Sequence, residues 1–101
     1  MKLIVDPEAF LEVRNAAVFY EDSQPDLGKT FLASVEAATE EIVRHPLRWR
    51  KIKGKFRRYL VHGFPYGLIY AVQDDTIYVA AVMHLKRKPG YWVRRAKKAS
   101  S

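Results

Sequence analysis

Two stretches of this chain carry side chains able to do chemistry on, or grip, a negatively charged partner. The first runs from Arg44 to Arg58 and interleaves Arg44, Arg48, Arg50, Lys51, Lys53, Lys55, Arg57 and Arg58 with Trp49 and Phe56. Cations at this density neutralise phosphates or carboxylates, and the aromatic rings among them can stack on a base. The second stretch is His84, Lys86, Arg87, Lys88, Tyr91 and Trp92. An imidazole exchanges protons near neutral pH, as a general acid or base, and a guanidinium holds a phosphate at two points. His84, Arg87, Tyr91 and Arg58 are therefore the catalytic candidates. Arg48, Trp49, Arg50, Lys51, Lys53, Lys55, Arg57, Lys86, Lys88 and Trp92 are the candidates for contact with a partner or nucleic acid.

A blander account exists for each group. The first is equally a solvated loop and strand edge whose lysines discourage edge-to-edge pairing. In the second, His84 hydrogen-bonds within the fold and Tyr91-Trp92 pin the tail to the core. Arg57 and Arg58 are neighbours on a strand, so alternation sends only one of them to the face that carries His84, and the sequence leaves open which. Gly63-Phe64-Pro65-Tyr66 reads as turn and core, and His45 and His62 as boundary and surface residues. No histidine or carboxylate spacing suits a metal, no glycine-rich loop suits a phosphate, and no serine sits in a nucleophile motif. The expectation is no metal and no cofactor.

Charge separates the chain into two halves. Residues 1–43 carry three basic and nine acidic side chains, a net of minus six, whereas residues 44–101 carry fifteen basic and two acidic ones, a net of plus thirteen. Such a positive body expects an anionic partner. The 101 residues make one domain, with the basic end fraying from about residue 94. The chain has no cysteine, which excludes disulfides and thiolate metal sites and fits a reducing compartment. No apolar run approaches the ~18 residues of a membrane helix, and Met1 to Pro7 is too soon interrupted to be a signal peptide. The expectation is a cytoplasmic protein that does not bind membranes.

The elements that must position these residues follow from pattern. Lys2 to Val5 reads as a strand. Asp6 and Pro7 form a helix start, and Phe10, Val13, Ala17 and Tyr20 fall on one face of a helix running to about Glu21. Asp26 caps a second helix, from Leu27 to Arg44, with Phe31, Val35, Ala38 and Ile42 inward; Pro46 ends it. Periodicity then changes to strands at Phe56–Val61, Tyr66–Val72 and Thr76–Met83, with turns at Gly63-Phe64-Pro65 and Asp74-Asp75. The order is β-α-α-β-β-β: an α+β domain, its small antiparallel-rich sheet carrying a helical hairpin on one face.

Read together, Phe19-Tyr20, Leu27-Gly28-Lys29-x-Phe31-Leu32, His45-Pro46, Arg57-Arg58, Phe64-Pro65-Tyr66-Gly67-Leu68-Ile69-Tyr70, Ile77-x-Val79-Ala80-Ala81-Val82-x-His84 and Arg87-x-Pro89-Gly90-Tyr91-Trp92 resemble the RelE/ParE toxins of type II toxin–antitoxin systems, the plasmid-stabilisation type. The resemblance implies a hetero-oligomer with a cognate antitoxin, whose acidic or amphipathic segment wraps and neutralises the toxin. It also implies one of two targets. The ParE branch poisons DNA gyrase without being a nuclease; the RelE branch cuts messenger RNA on the ribosome. In the nuclease branch an arginine often follows the aromatic that opens the second hairpin strand, and Gly67 holds that place here. The His84 ending resembles the ParE side. A non-toxic basic nucleic-acid-binding module is the third alternative.

Overall fold

The computed structural model describes residues 1–95. Its elements are β1 (Lys2–Val5), α1 (Pro7–Ser23), α2 (Leu27–Arg44), β2 (Lys51–Lys53), β3 (Phe56–Leu60), β4 (Tyr66–Gln73) and β5 (Thr76–His84). They form one five-stranded sheet in the order β1-β5-β4-β3-β2. The first strand lies parallel to β5 and every other pairing is antiparallel. The α+β class and the helical hairpin on one face are as the sequence indicates. The element order needs one correction: a strand, β2, precedes Phe56. Three residues, Lys-Ile-Lys, are too few to display alternation. What makes them a strand is the turn at Gly54, whose φ of 53° lets β2 fold back on β3.

Helix α1 starts as its sequence dictates. The Asp6 carboxylate accepts the Glu8 N–H at 2.9 Å, and Pro7 follows at a position that has no N–H to satisfy. The inward stripe is shifted from the expected one. Ala9 and Ala16 are buried, Val13 and Tyr20 partly so, and Phe10 points outward at 64 % exposure. Small residues face inward because the two helices and the sheet approach closely.

The cap of α2 is also corrected. Asp26 sits in the left-handed region at φ 69°, and its side chain makes no capping bond. Instead Glu21, at the end of α1, accepts the N–H of Asp26 at 2.9 Å and of Gly28 at 3.0 Å, so one carboxylate closes the turn and caps the second helix. Gly28 is where the helices touch. A Cβ built there would lie 2.5 Å from the Ala17 carbonyl oxygen. Gly28→Ala must push the helices apart, and an overpacking cost of about 2 kcal/mol is expected. A thermal melt checks this; an unchanged midpoint would show that the hairpin yields freely.

Two cores flank the sheet. On the helix face, Phe31, Ile42, Leu68, Tyr70 and Ile77 are buried, and Tyr20, Phe31, Phe64 and Tyr66 form a cluster of edge-on and tilted rings. On the opposite face Phe56, Ile69, Met83 and Trp92 pack over Ala71, Ala80 and Ala81. The alanines leave room for the indole, which lies 4.8 Å from the Phe56 ring centroid. The segment after β5 thus crosses to the far side of the sheet and covers it.

Candidate functional site

Where β1 ends, the edge of β5 loses its strand partner. The last bond of that pairing is Asp6 N–H to the Val79 carbonyl, at 2.9 Å. Beyond it the register across β4 and β5 skips Ala80, a bulge that turns the local backbone outward. Two side chains stand in for the missing strand. Glu12 on α1 accepts the Val82 N–H at 3.0 Å, and Arg95 donates to the Ala80 carbonyl at 3.1 Å. These two also bind each other, at 2.8 Å and 3.2 Å.

Glu12 gathers more than Arg95. Its carboxylate accepts the Tyr91 hydroxyl proton and, at 3.3 Å, an Arg87 N–H. The Arg87 guanidinium lies 3.6 Å from the centre of the Tyr91 ring and that of Arg95 5.1 Å. Glu8 adds a second carboxylate to Arg95 at 3.3 Å. The side chains of Glu12 and Arg95 are 14 % and 11 % exposed, whereas Arg87 is about half exposed. This part-buried pair, in which each Glu12 carboxylate oxygen accepts at least two hydrogen bonds, fastens the C-terminal turn to α1. Fraying from about residue 94 therefore does not hold for Arg95; residues 96–101 lie outside the described residues.

The catalytic candidates separate under this geometry. Arg87 and Tyr91 converge, but on Glu12. His84 lies beside them on the helix face: its ring meets Tyr66 edge-on at 5.1 Å, and its Nδ1 accepts the Lys86 N–H at 3.1 Å. A cavity of about 260 Å³ is lined by Glu12, Asn15, Phe19, Tyr66, His84 and Arg87, among others. Arg58 does not join them. It pairs with Ile69, whose side chain belongs to the opposite face, while Arg57 pairs with Tyr70 on the helix face. Arg57 is the one that shares the face of His84, and it is committed elsewhere, donating to the carbonyls of Leu47 at 3.1 Å and Trp49 at 2.7 Å. It holds the loop between α2 and β2. Arg58 lies across Gly67, its Cγ and Cδ 3.1 Å from where a Cβ would stand there, so the glycine is the space for the arginine's stem.

The binding candidates fall into three places. Arg48, Trp49 and Arg50 line a cavity of about 520 Å³ together with Arg58. Trp49 packs edge-on against Tyr59 at 4.7 Å. Lys51 and Lys53 stand on the edge strand. Lys53 Nζ reaches to 3.7 Å of the Cβ position at Gly90, beside a second cavity of about 390 Å³ lined by Lys88 and Arg94. Lys55 donates to the Gln73 side chain at 2.6 Å. Lys86 is exposed in the turn after β5, and Trp92, a binding candidate in the sequence, is core at 2 % exposure.

These placements sit within a recognisable family. The description "ParE toxin of type II toxin-antitoxin system, parDE" matches residues 3–89. The chain belongs to the ParE toxin family. Membership in this ParE family makes it the toxin of a type II pair, with an antitoxin as its partner. No curated protein matches significantly. Among the described residues, no helix of the toxin is long and apolar enough to cross a membrane, and no cluster of three or more histidine, aspartate or glutamate side chains is placed to hold a metal.

Sequence reasoning missed Glu12. The signal was present: a carboxylate set between Ala9, Val13 and Ala16 on the inward stripe must find buried partners. The clamp also has a pH signature. Burial and the Glu12 hydrogen bond raise the Tyr91 pKa above the usual 10.0, and burial with the Asp6 hydrogen bond raises that of Tyr78. A pKa raised by folding contributes stability that is complete below the unfolded value and lost as pH climbs towards the folded one. Stability is therefore expected to fall above about pH 10, and Tyr91→Phe with Tyr78→Phe should flatten that fall. Chemical denaturation across pH 8–11 measures it; an equal fall in the double variant would remove ionisation of Tyr78 and Tyr91 as the cause.

Proposed function

We propose that this toxin acts by inhibiting an essential protein target, DNA gyrase being the expected one, and that it is not a ribosome-dependent nuclease. The observation that carries this reading is the commitment of Glu12 to Arg87, Tyr91 and Arg95. Cutting RNA at a 2′-hydroxyl needs a base, an acid and a free cation to stabilise the pentacovalent phosphate. Here the tyrosine hydroxyl and both guanidiniums face a carboxylate, and that carboxylate repels a phosphate. Arg58 lies on the other face of the sheet, and Gly67 offers no charge. Among the described residues, the lysines of β2, Arg58 on β3 and the arginines of the loop before β2 have no carboxylate partner, a surface suited to steering and holding an acidic protein.

Expressed without its antitoxin, the chain is expected to arrest bacterial growth and to relax plasmid DNA, with transcripts left intact. Growth arrest with transcripts cut at ribosomal positions, abolished by Arg87→Ala or Tyr91→Phe in a folded protein, would favour the nuclease. Normal growth with unchanged plasmid topology would favour a module that has lost toxicity.

A further inference from the structure

The sheet has a second outer edge, at β1, and its character is opposite to that of β2. The β2 edge carries Lys51 and Lys53, charges that discourage pairing with another strand. The β1 edge carries Leu3, Ile4 and Val5, all exposed, with no proline, no bulge and Lys2 as its one charge. Strand parity puts apolar groups on both faces. Leu3 and Val5 pair with Ile77 and Val79 of the helix face, and Ile4 with Tyr78 of the far face. The backbone is sorted in the same way. Lys2 and Asp6 donate their N–H groups to the carbonyls of Asp75 and Val79, so alternation turns Ile4 towards β5 as well. The N–H and C=O groups of Leu3 and Val5 point outward, where the sheet ends.

A strand of the same sequence can satisfy these groups, and hydrogen bonding and charge choose the same register. In an antiparallel pair, residues whose backbone groups point outward meet face to face and exchange both N–H···O=C bonds. Setting Leu3 opposite Val5 of the other copy, and Val5 opposite its Leu3, does this about a two-fold axis. The axis then passes beside Ile4, which faces its own counterpart. Lys2 stands opposite Asp6 of the other copy, a cation against an anion, and symmetry repeats the pair. Neither Lys2 nor Asp6 has an ion-pair partner of its own among the described residues. Setting Leu3 opposite Leu3 would put Lys2 against Ile4. Setting Val5 opposite Val5 would bring Pro7, which has no N–H, to face Leu3. We infer that β1 is a self-pairing edge, through which two copies of this chain join antiparallel into one continuous sheet. Such an isologous contact uses the same patch on both copies and closes at two. The lysine that discourages foreign strands here meets a counter-charge on its own kind.

Sedimentation equilibrium on the full chain, at about 0.15 M salt to screen the repulsion between two basic copies, tests it. A short strand makes a small contact, so the mass should rise from one chain towards two across about 10–500 µM. Leu3→Pro removes an outward N–H and no bond to β5. It should leave the melting temperature near the parent's and weaken association about tenfold or more. Lys2→Glu sets like charges face to face and should weaken association about fivefold or more. Lys29→Glu makes the same change in net charge away from β1 and should not weaken it. The absence of cysteine allows a second measurement. Ile4→Cys places two thiols beside the axis, at the ~4.5 Å Cα separation of a facing pair without hydrogen bonds, within disulfide reach. With oxidised glutathione it should form a covalent dimer well ahead of Leu3→Cys, whose thiols each face Val5 instead. A mass that stays at one chain throughout leaves this edge to a different occupant and overturns the inference. So would a dimer that survives Leu3→Pro, equal effects of Lys2→Glu and Lys29→Glu, or equal crosslinking of the two cysteine variants.

Discussion

Glu12→Ala is expected to lower stability by about 3 kcal/mol, the lower end of the cost of breaking a buried ion pair, because Glu12 and Arg95 are part-buried. For a chain of this size that is a fall in melting temperature of roughly 15 °C or more. The loss falls on several groups together. Arg95, 11 % exposed, keeps its charge but is left with the exposed Glu8 as its one carboxylate partner among the described residues. The Tyr91 hydroxyl and the Val82 N–H lose their acceptor. Arg87 contributes little, because half of its side chain lies in water and that contact is screened. Pairing Glu12→Ala with Arg95→Met should cost less than the sum of the two single changes, since the double variant buries no orphan charge. A Glu12→Ala protein that melts within about 1 kcal/mol of the parent would show that the clamp is ornamental.

Trp92→Ala is the second large effect, about 3–5 kcal/mol for deleting a buried aromatic side chain. The indole fills the space above Ala71, Ala80 and Ala81 and packs on Phe56. Three alanines cannot expand into the cavity, so the site collapses poorly. Trp92→Phe should recover most of the loss. It restores much of the volume, and the indole Nε1 is buried without an acceptor among the described residues, so removing it forfeits no hydrogen bond. Denaturant melts of the two variants compare these directly; equal losses for Ala and Phe would contradict a volume-based account. Glu12 and Trp92 hold the same C-terminal segment from opposite sides of the β5 edge, so both variants should expose it to limited proteolysis.

The helices and the long strands were legible because each carries a period. Helix α2 runs Leu27–Arg44, between a break and a proline, and its stripe of Phe31, Val35, Ala38 and Ile42 is buried as read. Strand β5 is apolar on both faces because it is paired on both sides and covered on both. Three features escaped for reasons of range. Strand β2 is shorter than one readable repeat. The cap of α2 comes from Glu21, outside the local window in which Asp26 is the obvious capping residue. Phe10 looks like a core residue by type, but close helix packing selects alanine for the interior.

The site was legible as a collection and not as an arrangement. The sequence singled out Arg87, Tyr91, His84 and Arg58, and three of them do gather at one end of β5. What joins Arg87 and Tyr91 is a carboxylate distant in sequence, and that contact inverts their meaning: a guanidinium and a hydroxyl that look like phosphate ligands are bound to Glu12. Strand parity decides the fourth. Arg58 lies on the far face, and that parity depends on register, which one residue of slip would reverse.

The reading of this chain as a toxin directed at a protein is tested most directly by purified gyrase converting relaxed plasmid to its supercoiled form, with the chain added alone and with Tyr91→Phe. Supercoiling should fall in step with added toxin, and the folded tyrosine variant should inhibit equally well. Undiminished supercoiling at molar excess of the chain, together with cleavage of messenger RNA on ribosomes that disappears in Tyr91→Phe, would contradict the account.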